Sequence, residues 1–207
     1  MDQKNVIITI ARQFGSGGKT IGQMLADSLG INCYERELIR MASDDSGISE
    51  ALFGENDERI RTNSFFKFKQ LYKGGLISPE SAGFTSSANL FNYQAKVIKQ
   101  LAEKESCVII GRCADYILKD YPNVMSVFIH ADPQFCHQMA LERVSVPEKD
   151  LDKYIEKIDN YRGEYYKAYT GKDWHDLRNY DLTLDSGKLG FEKCVELIRA
   201  YMDERFS

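Results

Sequence analysis

The pattern of apolar and polar positions along the chain divides it into short β-branched runs and longer helical stretches. Val6 to Ala11 is an apolar, β-branched run that predicts a buried strand, and a glycine-rich segment follows it. From Lys19 to Leu29 the apolar residues Ile21, Met24, Leu25 and Leu29 recur at helical spacing, and Gly30 supplies the helix stop. Ile31 to Tyr34 reads as a second strand and Glu37 to Ala42 as the next helix. The stretch from Asp44 to Asn89 mixes polar runs with Gly74-Gly75, Ser78-Pro79 and a Ser/Thr/Gly-rich patch from Ser81 to Ser87, and predicts helices joined by loops. Beyond it, Leu90 to Lys104 reads as a helix, and Cys107 to Ile110 and Val124 to Ile129 read as buried strands. Asp132-Pro133 has the order of an N-cap followed by proline at the first helical position, and opens a helix through Arg143. A further helix is expected from about Glu148 to Tyr166, a fifth strand from Tyr180 to Leu184, and a closing amphipathic helix from Phe191 to Met202.

Strands alternating with helices predict parallel βαβ units and an α/β sheet covered on both faces. In such folds ligands bind at the carboxyl ends of the strands, so the residues just after each strand are the place to look for chemistry. Composition narrows the partner. With 207 residues, 43% hydrophobic and 28% charged, the chain fits one globular domain, and its net charge of −4 and pI near 5.5 lack the basic footprint of a polynucleotide binder. A few converging cations still suffice for a mononucleotide's phosphates. The polar start and the lack of a long apolar run predict a cytoplasmic protein without a membrane span. Five cysteines with no CxxC pair are expected to be reduced packing residues, and the three histidines lack zinc-site spacing.

The residues after the first strand read Gln13-Phe14-Gly15-Ser16-Gly17-Gly18-Lys19-Thr20, nearly the phosphate-binding loop pattern. In such a loop glycines turn backbone N–H groups toward phosphate, the helix N-terminus adds positive dipole, lysine reaches the outer phosphates and Ser/Thr holds Mg²⁺. Gly15, Ser16, Gly17, Gly18, Lys19, Thr20 and Ile21 are the expected nucleotide contacts, with Thr20 as metal ligand. Gln13 departs from the pattern, since it stands where the first glycine belongs.

Taken with the loop, Tyr34 to Ile39 (YERELI), Val108 to Asp115 (VIIGRCAD) and the stretch from Tyr165-Tyr166 through Tyr169-Thr170-Gly171 and Trp174 to Tyr180-Asp181-Leu182 make the chain resemble the cytidylate kinase-like branch of the nucleoside monophosphate kinases. The resemblance covers nearly the whole chain. It implies a P-loop NTPase-type three-layer sandwich with a five-stranded parallel sheet, an acceptor-binding insertion at about 36–90 and a lid at about 144–175. It also implies ATP with Mg²⁺ and a CMP-like acceptor, handled by a monomer or homodimer.

By the same resemblance Arg112, just after the third strand, falls on the acceptor's phosphate, a role suited to a planar guanidinium. Arg36 and Arg40, four apart after the second strand, would present two cations on one helix face, with a solvated surface as the plainer alternative. Asp115 could touch an acceptor hydroxyl or a metal-bound water, or simply cap a helix. Arg143, Asp159 and Arg162 surround the expected lid, where closure would bring Arg143 and Arg162 to the transferring phosphoryl group. The lid carries fewer arginines than the resembled kinases do, and Ile110 stands where the wider family has an Asp before Gly-Arg. Asp115 or Asp132 could supply the missing carboxylate, although Asp-Pro already explains Asp132 as a cap. Tyr165, Tyr166, Tyr169 and Trp174 could stack on a base but fit the core better. The reading is a kinase for a nucleoside monophosphate, CMP or dCMP first. A kinase for another small acceptor, or a nucleotide sensor without transfer, are the alternatives.

Overall fold

The β-branched run near the N-terminus forms the central strand of a computed structural model, which describes residues 5–57 and 71–207. Strand β1 (Ile7–Arg12) is buried along its whole length, as a strand covered on both faces must be. The other strands are β2 (Asn32–Tyr34), β3 (Cys107–Ile110), β4 (Val124–His130) and β5 (Leu182–Asp185). Their order is β2-β3-β1-β4-β5 and every pairing is parallel. The register pairs Ile10 with Ile110, Arg12 with Ile129, Tyr34 with Ile109 and His130 with Asp185. All five carboxyl ends therefore open on one edge, and the segments that follow β1, β2, β3 and β4 meet there.

Helices α1 (Gly18–Leu29), α2 (Glu37–Ser46), α3 (Glu50–Glu55), α4 (Ser87–Lys104), α5 (Ala114–Ile117), α6 (Pro133–Leu141), α7 (Glu148–Thr170), α8 (Ser186–Leu189) and α9 (Phe191–Phe206), with a 3-10 turn at Leu177–Asn179, complete the described elements. Alternation along the strands sorts side chains into two cores. Ile8, Ile10, Val108, Ile110, Val127 and Ile129 face Leu25 of α1 and Ile198 of α9. Ile7, Ile109 and Phe128 face the other layer, where Leu38, Leu90, Ile98, Tyr165 and Tyr169 of α2, α4 and α7 pack. Gly22 lets α1 sit close to the sheet, since a Cβ there would collide with Ile110. This is the expected three-layer P-loop architecture.

Several boundaries differ from the sequence expectation for local reasons. Helix α4 begins at Ser87 rather than Leu90, with Ser86 as its cap. Helix α7 continues past Tyr166 to Thr170 because the buried Tyr169 still faces the core, and left-handed Gly171 ends it. Helix α6 stops at Leu141, short of Arg143. Strand β5 begins at Leu182, because Asp181 is drawn off to bond the Ser126 amide at 2.8 Å. The single-turn helices α5 and α8 are too short for any periodicity to reveal. Of the expected 44–89 segment, residues 58–70 lie outside the described residues.

Tyr165, Tyr166, Tyr169 and Trp174 are core residues: Tyr169 stacks on Phe91 at 4.0 Å and Trp174 meets Phe128 edge-on at 5.2 Å. The five cysteines are free thiols, and burial pushes Cys107 up to about 12 and Cys33 to about 11, so neither is a ready nucleophile. Among the described residues no helix is long and apolar enough to cross a membrane.

Candidate functional site

The loop between β1 and α1 wraps the N-terminus of α1. Gly15 and Gly17 both have positive φ, at 80° and 76°, and a Cβ on Gly15 would run into the backbone of Cys136. Gly17 is the N-cap of α1 and offers no side chain to the amides of the first turn, which also lacks any acidic residue. A helix N-terminus that carries Lys19 instead of a carboxylate is arranged for an anion from outside. Gln13 does not spoil this. Its N–H donates to Ile129 O at 3.0 Å, its side-chain oxygen accepts from the Ala131 N–H at 3.3 Å, and its carbonyl accepts from the Ser16 hydroxyl at 2.9 Å. The side chain at the departed position thus ties the loop to the end of β4. Ser16 is fully buried, and its carbonyl accepts a 2.6 Å bond from the Ser186 hydroxyl at the start of α8.

A cavity of about 410 Å³ opens on the loop, lined by Gly15, Gly17, Gly18 and Lys19 on one side. Arg12 and Arg162, both buried, and Arg36 and Arg143, both exposed, also face it, as does the carboxylate of Glu35. Lys19 Nζ lies 2.7 Å from Glu35 Oε2, and Arg12 Nη2 lies 3.6 Å from Glu35 Oε1. The Lys19 side chain is 62% exposed while that of Glu35 is 6% exposed, so the carboxylate is a fixed part of the wall and the lysine is a reaching arm.

Helix α7 is joined to the loop directly. The Phe14 N–H donates to Asp159 Oδ1 at 2.8 Å, and the Phe14 ring meets Tyr154 edge-on at 5.5 Å. Arg162 donates to the Arg12 carbonyl at 3.0 Å and to Asp159 at 3.2 Å, with its guanidinium 5.7 Å from the centre of the Phe14 ring. Burial raises the Asp159 carboxyl above its ordinary range, and the Arg162 charge offsets only part of that rise. Of the two arginines expected from the lid, Arg162 is thus a buried clamp between α7 and the end of β1. Arg143 is the exposed one, and its Nη2 donates to Thr20 Oγ1 at 3.1 Å.

Of the remaining expected residues, Arg112 and Asp115 line a second, much smaller cavity together with Arg12 and Arg162. Arg112 is fully buried within three consecutive left-handed residues, Gly111, Arg112 and Cys113, a bend that costs the two non-glycine positions on the order of 1–2 kcal/mol each. The bend turns its guanidinium inward onto Asp57 Oδ2, at 3.0 Å, and onto the Glu35 carbonyl. It does not line the cavity that holds Lys19. Asp115, half-buried, accepts a 2.6 Å bond from the Tyr166 hydroxyl, and burial pushes its carboxyl up to about 6. Arg36 lines the cavity, whereas Arg40, one turn along α2, does not. Ile110 packs over Gly22, and Asp132 caps α6 by accepting from the Phe135 N–H at 3.0 Å. Among the described residues no group of three or more His, Cys, Asp or Glu side chains could hold a metal ion by itself.

Residues 7–188 match the model of the cytidylate kinase-like family. The chain belongs to that family. A cytidylate kinase from Methanosarcina acetivorans is similar to it at 25% identity over 95% of this chain and 96% of its own length. A crystal structure of an uncharacterized protein from Eubacterium ventriosum matches with a TM-score of 0.71 and 28% identity, over 96% of this chain and 99% of that one. A shikimate kinase from Bacteroides thetaiotaomicron shares the fold, with a TM-score of 0.56 at 14% identity over 96% and 98% of the two chains.

In this cytidylate kinase-like protein the glycines, Phe14 and Lys19 of the loop were legible as a string, whereas Arg12, Glu35 and Tyr154 reach the cavity through the fold. Glu35 alone carried a sequence signal, because it directly follows the second strand at the ligand edge of the sheet. Arg12 ends the first strand, and its alternation alone does not tell which wall its long side chain joins.

Proposed function

We propose that this protein transfers the γ-phosphoryl group of ATP to a nucleoside monophosphate, with CMP or dCMP as the acceptor. The observation that carries the reading is the cavity at the N-terminus of α1, where glycine backbone, the reaching Lys19 and the exposed Arg143 converge on space for phosphate. The similarity to the cytidylate kinase from Methanosarcina acetivorans supports the choice of CMP. The loop fits a nucleoside triphosphate, since Gly15, Gly17 and Gly18 bring backbone without side chains to the cavity wall beside Lys19. A Mg²⁺ ion would be held by the Thr20 hydroxyl together with the nucleotide's own phosphates, and when bound it neutralises charge on the donor's outer phosphates.

An acceptor phosphate is ionised at neutral pH, so the reaction needs positioning and charge neutralisation rather than a base. Lys19 would leave Glu35 or share itself with a donor phosphate, and Arg143 would leave the Thr20 hydroxyl for the transferring group. Asp159 and Arg162 hold the start of the loop in place through Phe14 and the Arg12 carbonyl. A kinase for a hydroxyl-bearing acceptor is the second reading. It is favoured by one observation, the buried Glu35 carboxylate on the cavity wall, which an alcohol acceptor could use to give up its proton.

The test is ADP release from MgATP against a panel of CMP, dCMP, UMP, AMP, GMP and non-nucleotide alcohols, with Lys19→Ala as control. ADP formation confined to a pyrimidine monophosphate bears the proposal out. Turnover with an alcohol alone transfers the assignment to the second reading, and ATP binding without any acceptor-stimulated turnover marks a sensor.

A further inference from the structure

The cation of the glycine-rich loop is already held by a carboxylate from another element. Glu35 directly follows β2, and its Oε2 lies 2.7 Å from Lys19 Nζ while its Oε1 lies 3.6 Å from Arg12 Nη2. The two cations differ in freedom, since the Lys19 side chain is 62% exposed and that of Arg12 is 5% exposed. Lysine swings on a flexible four-carbon stem, whereas the stem of Arg12 is packed so closely on Gly18 that a Cβ there would collide with it. Glu35 cannot follow Lys19 outward. Its N–H donates to Glu37 Oε2 at 3.0 Å, and its carbonyl accepts from the guanidinium of Arg112, which Asp57 Oδ2 holds at 3.0 Å. A buried carboxylate stripped of its cations is costly, but this one keeps Arg12 when Lys19 departs. The cavity wall thus carries a fixed anion with one fixed partner and one mobile partner. Thr20, the next side chain of the loop, is engaged as well, by Arg143 at 3.1 Å.

We propose that Glu35 is an autoinhibitory latch on Lys19: in the unliganded protein its carboxylate occupies the ammonium group that a donor phosphate needs, and a nucleotide must displace it to bind. The proposal rests on the reading of the loop as the site of the donor's phosphates. Carboxylate and phosphate oxygens compete for the same ammonium group, and the charge of Glu35 on the cavity wall also opposes an incoming anion. The latch therefore lowers donor affinity, and it keeps Lys19 occupied until a polyphosphate draws it across.

The test is calorimetric titration of MgADP into the full chain, for wild type, Glu35→Gln and Glu35→Asp. Glu35→Gln removes the competing charge and is expected to tighten MgADP binding about three- to fivefold, the scale of an ion pair with one exposed partner. Glu35→Asp leaves a carboxylate for Arg12 but draws it back from Lys19 by one methylene, and should tighten MgADP by about twofold. If Glu35→Gln does not fold, Glu35→Asp decides the matter. Weaker binding in Glu35→Gln would overturn the proposal by making Glu35 a residue that orients Lys19 for phosphate. Tighter binding in Glu35→Gln with Glu35→Asp at the wild-type affinity would also overturn it, by reducing the effect to charge repulsion without a latch. Binding by the wild type that neither variant changes refutes the latch and leaves the donor reading standing. MgADP taken up by none of the three proteins removes the donor reading and the latch with it.

Discussion

Gly15 holds a φ of 80°, and a methyl group there would meet the carbonyl and Cα of Cys136, backbone atoms that cannot swing aside. Gly15→Ala therefore combines left-handed strain with a steric clash, and is expected to cost about 2–4 kcal/mol in chemical denaturation. An unchanged midpoint would mean that the loop has another conformation available. Asp115 supplies a pH signature. Burial raises its carboxyl from the ordinary 3.8 to about 6, so between those values the native state binds more protons than the unfolded chain does. Its contribution is fully present below pH 3.8 and is lost as pH rises through about 6. Asp115→Asn should thus gain on the wild type between pH 4 and pH 7, by on the order of 2 kcal/mol. A difference that stays flat with pH would show that the tyrosine hydrogen bond holds Asp115 ionised.

At the scale of elements, the link between α7 and the glycine-rich loop separates two arginines that look alike in sequence. Arg162 and Asp159 are buried or nearly so and share the start of the loop, whereas Arg143 sits exposed beyond the end of α6. Removing one partner of a buried pair costs about 3–5 kcal/mol, so Arg162→Ala should lower Tm by roughly 6 °C or more along with activity. Arg143→Ala should lower kcat by at least about 10²-fold while Tm moves within about 2 °C, since exposed substitutions stay within about 0.5 kcal/mol. Equal Tm losses in both variants would refute the division. The sequence placed both residues near a lid but could not sort them, because the partners that decide the matter, Phe14 and the Arg12 carbonyl for one and Thr20 for the other, lie more than a hundred residues away. Strand and helix identities were legible from short apolar runs and helical spacing. The burial of Arg112 was not, because it depends on two non-glycine residues adopting left-handed backbone and on Asp57 arriving from another element.

For the whole molecule, the sheet edge joins every part of the site, so a ligand held there should stabilise the chain as a unit. A donor nucleotide that binds the native state alone adds RT ln(1 + [L]/Kd), about 2.7 kcal/mol at a hundred times Kd. For a chain of 207 residues that corresponds to a Tm increase of roughly 5–11 °C with MgATP. Lys19 is exposed along most of its length, so Lys19→Ala should leave the unliganded Tm nearly unchanged, or slightly lowered by the loss of Glu35's partner. The same variant should abolish most of the MgATP shift and the turnover with it. Scanning calorimetry with and without MgATP therefore tests the site without presuming any acceptor. A full shift in Lys19→Ala would place the nucleotide elsewhere in the fold, and a missing shift in the wild type would deny it the loop altogether.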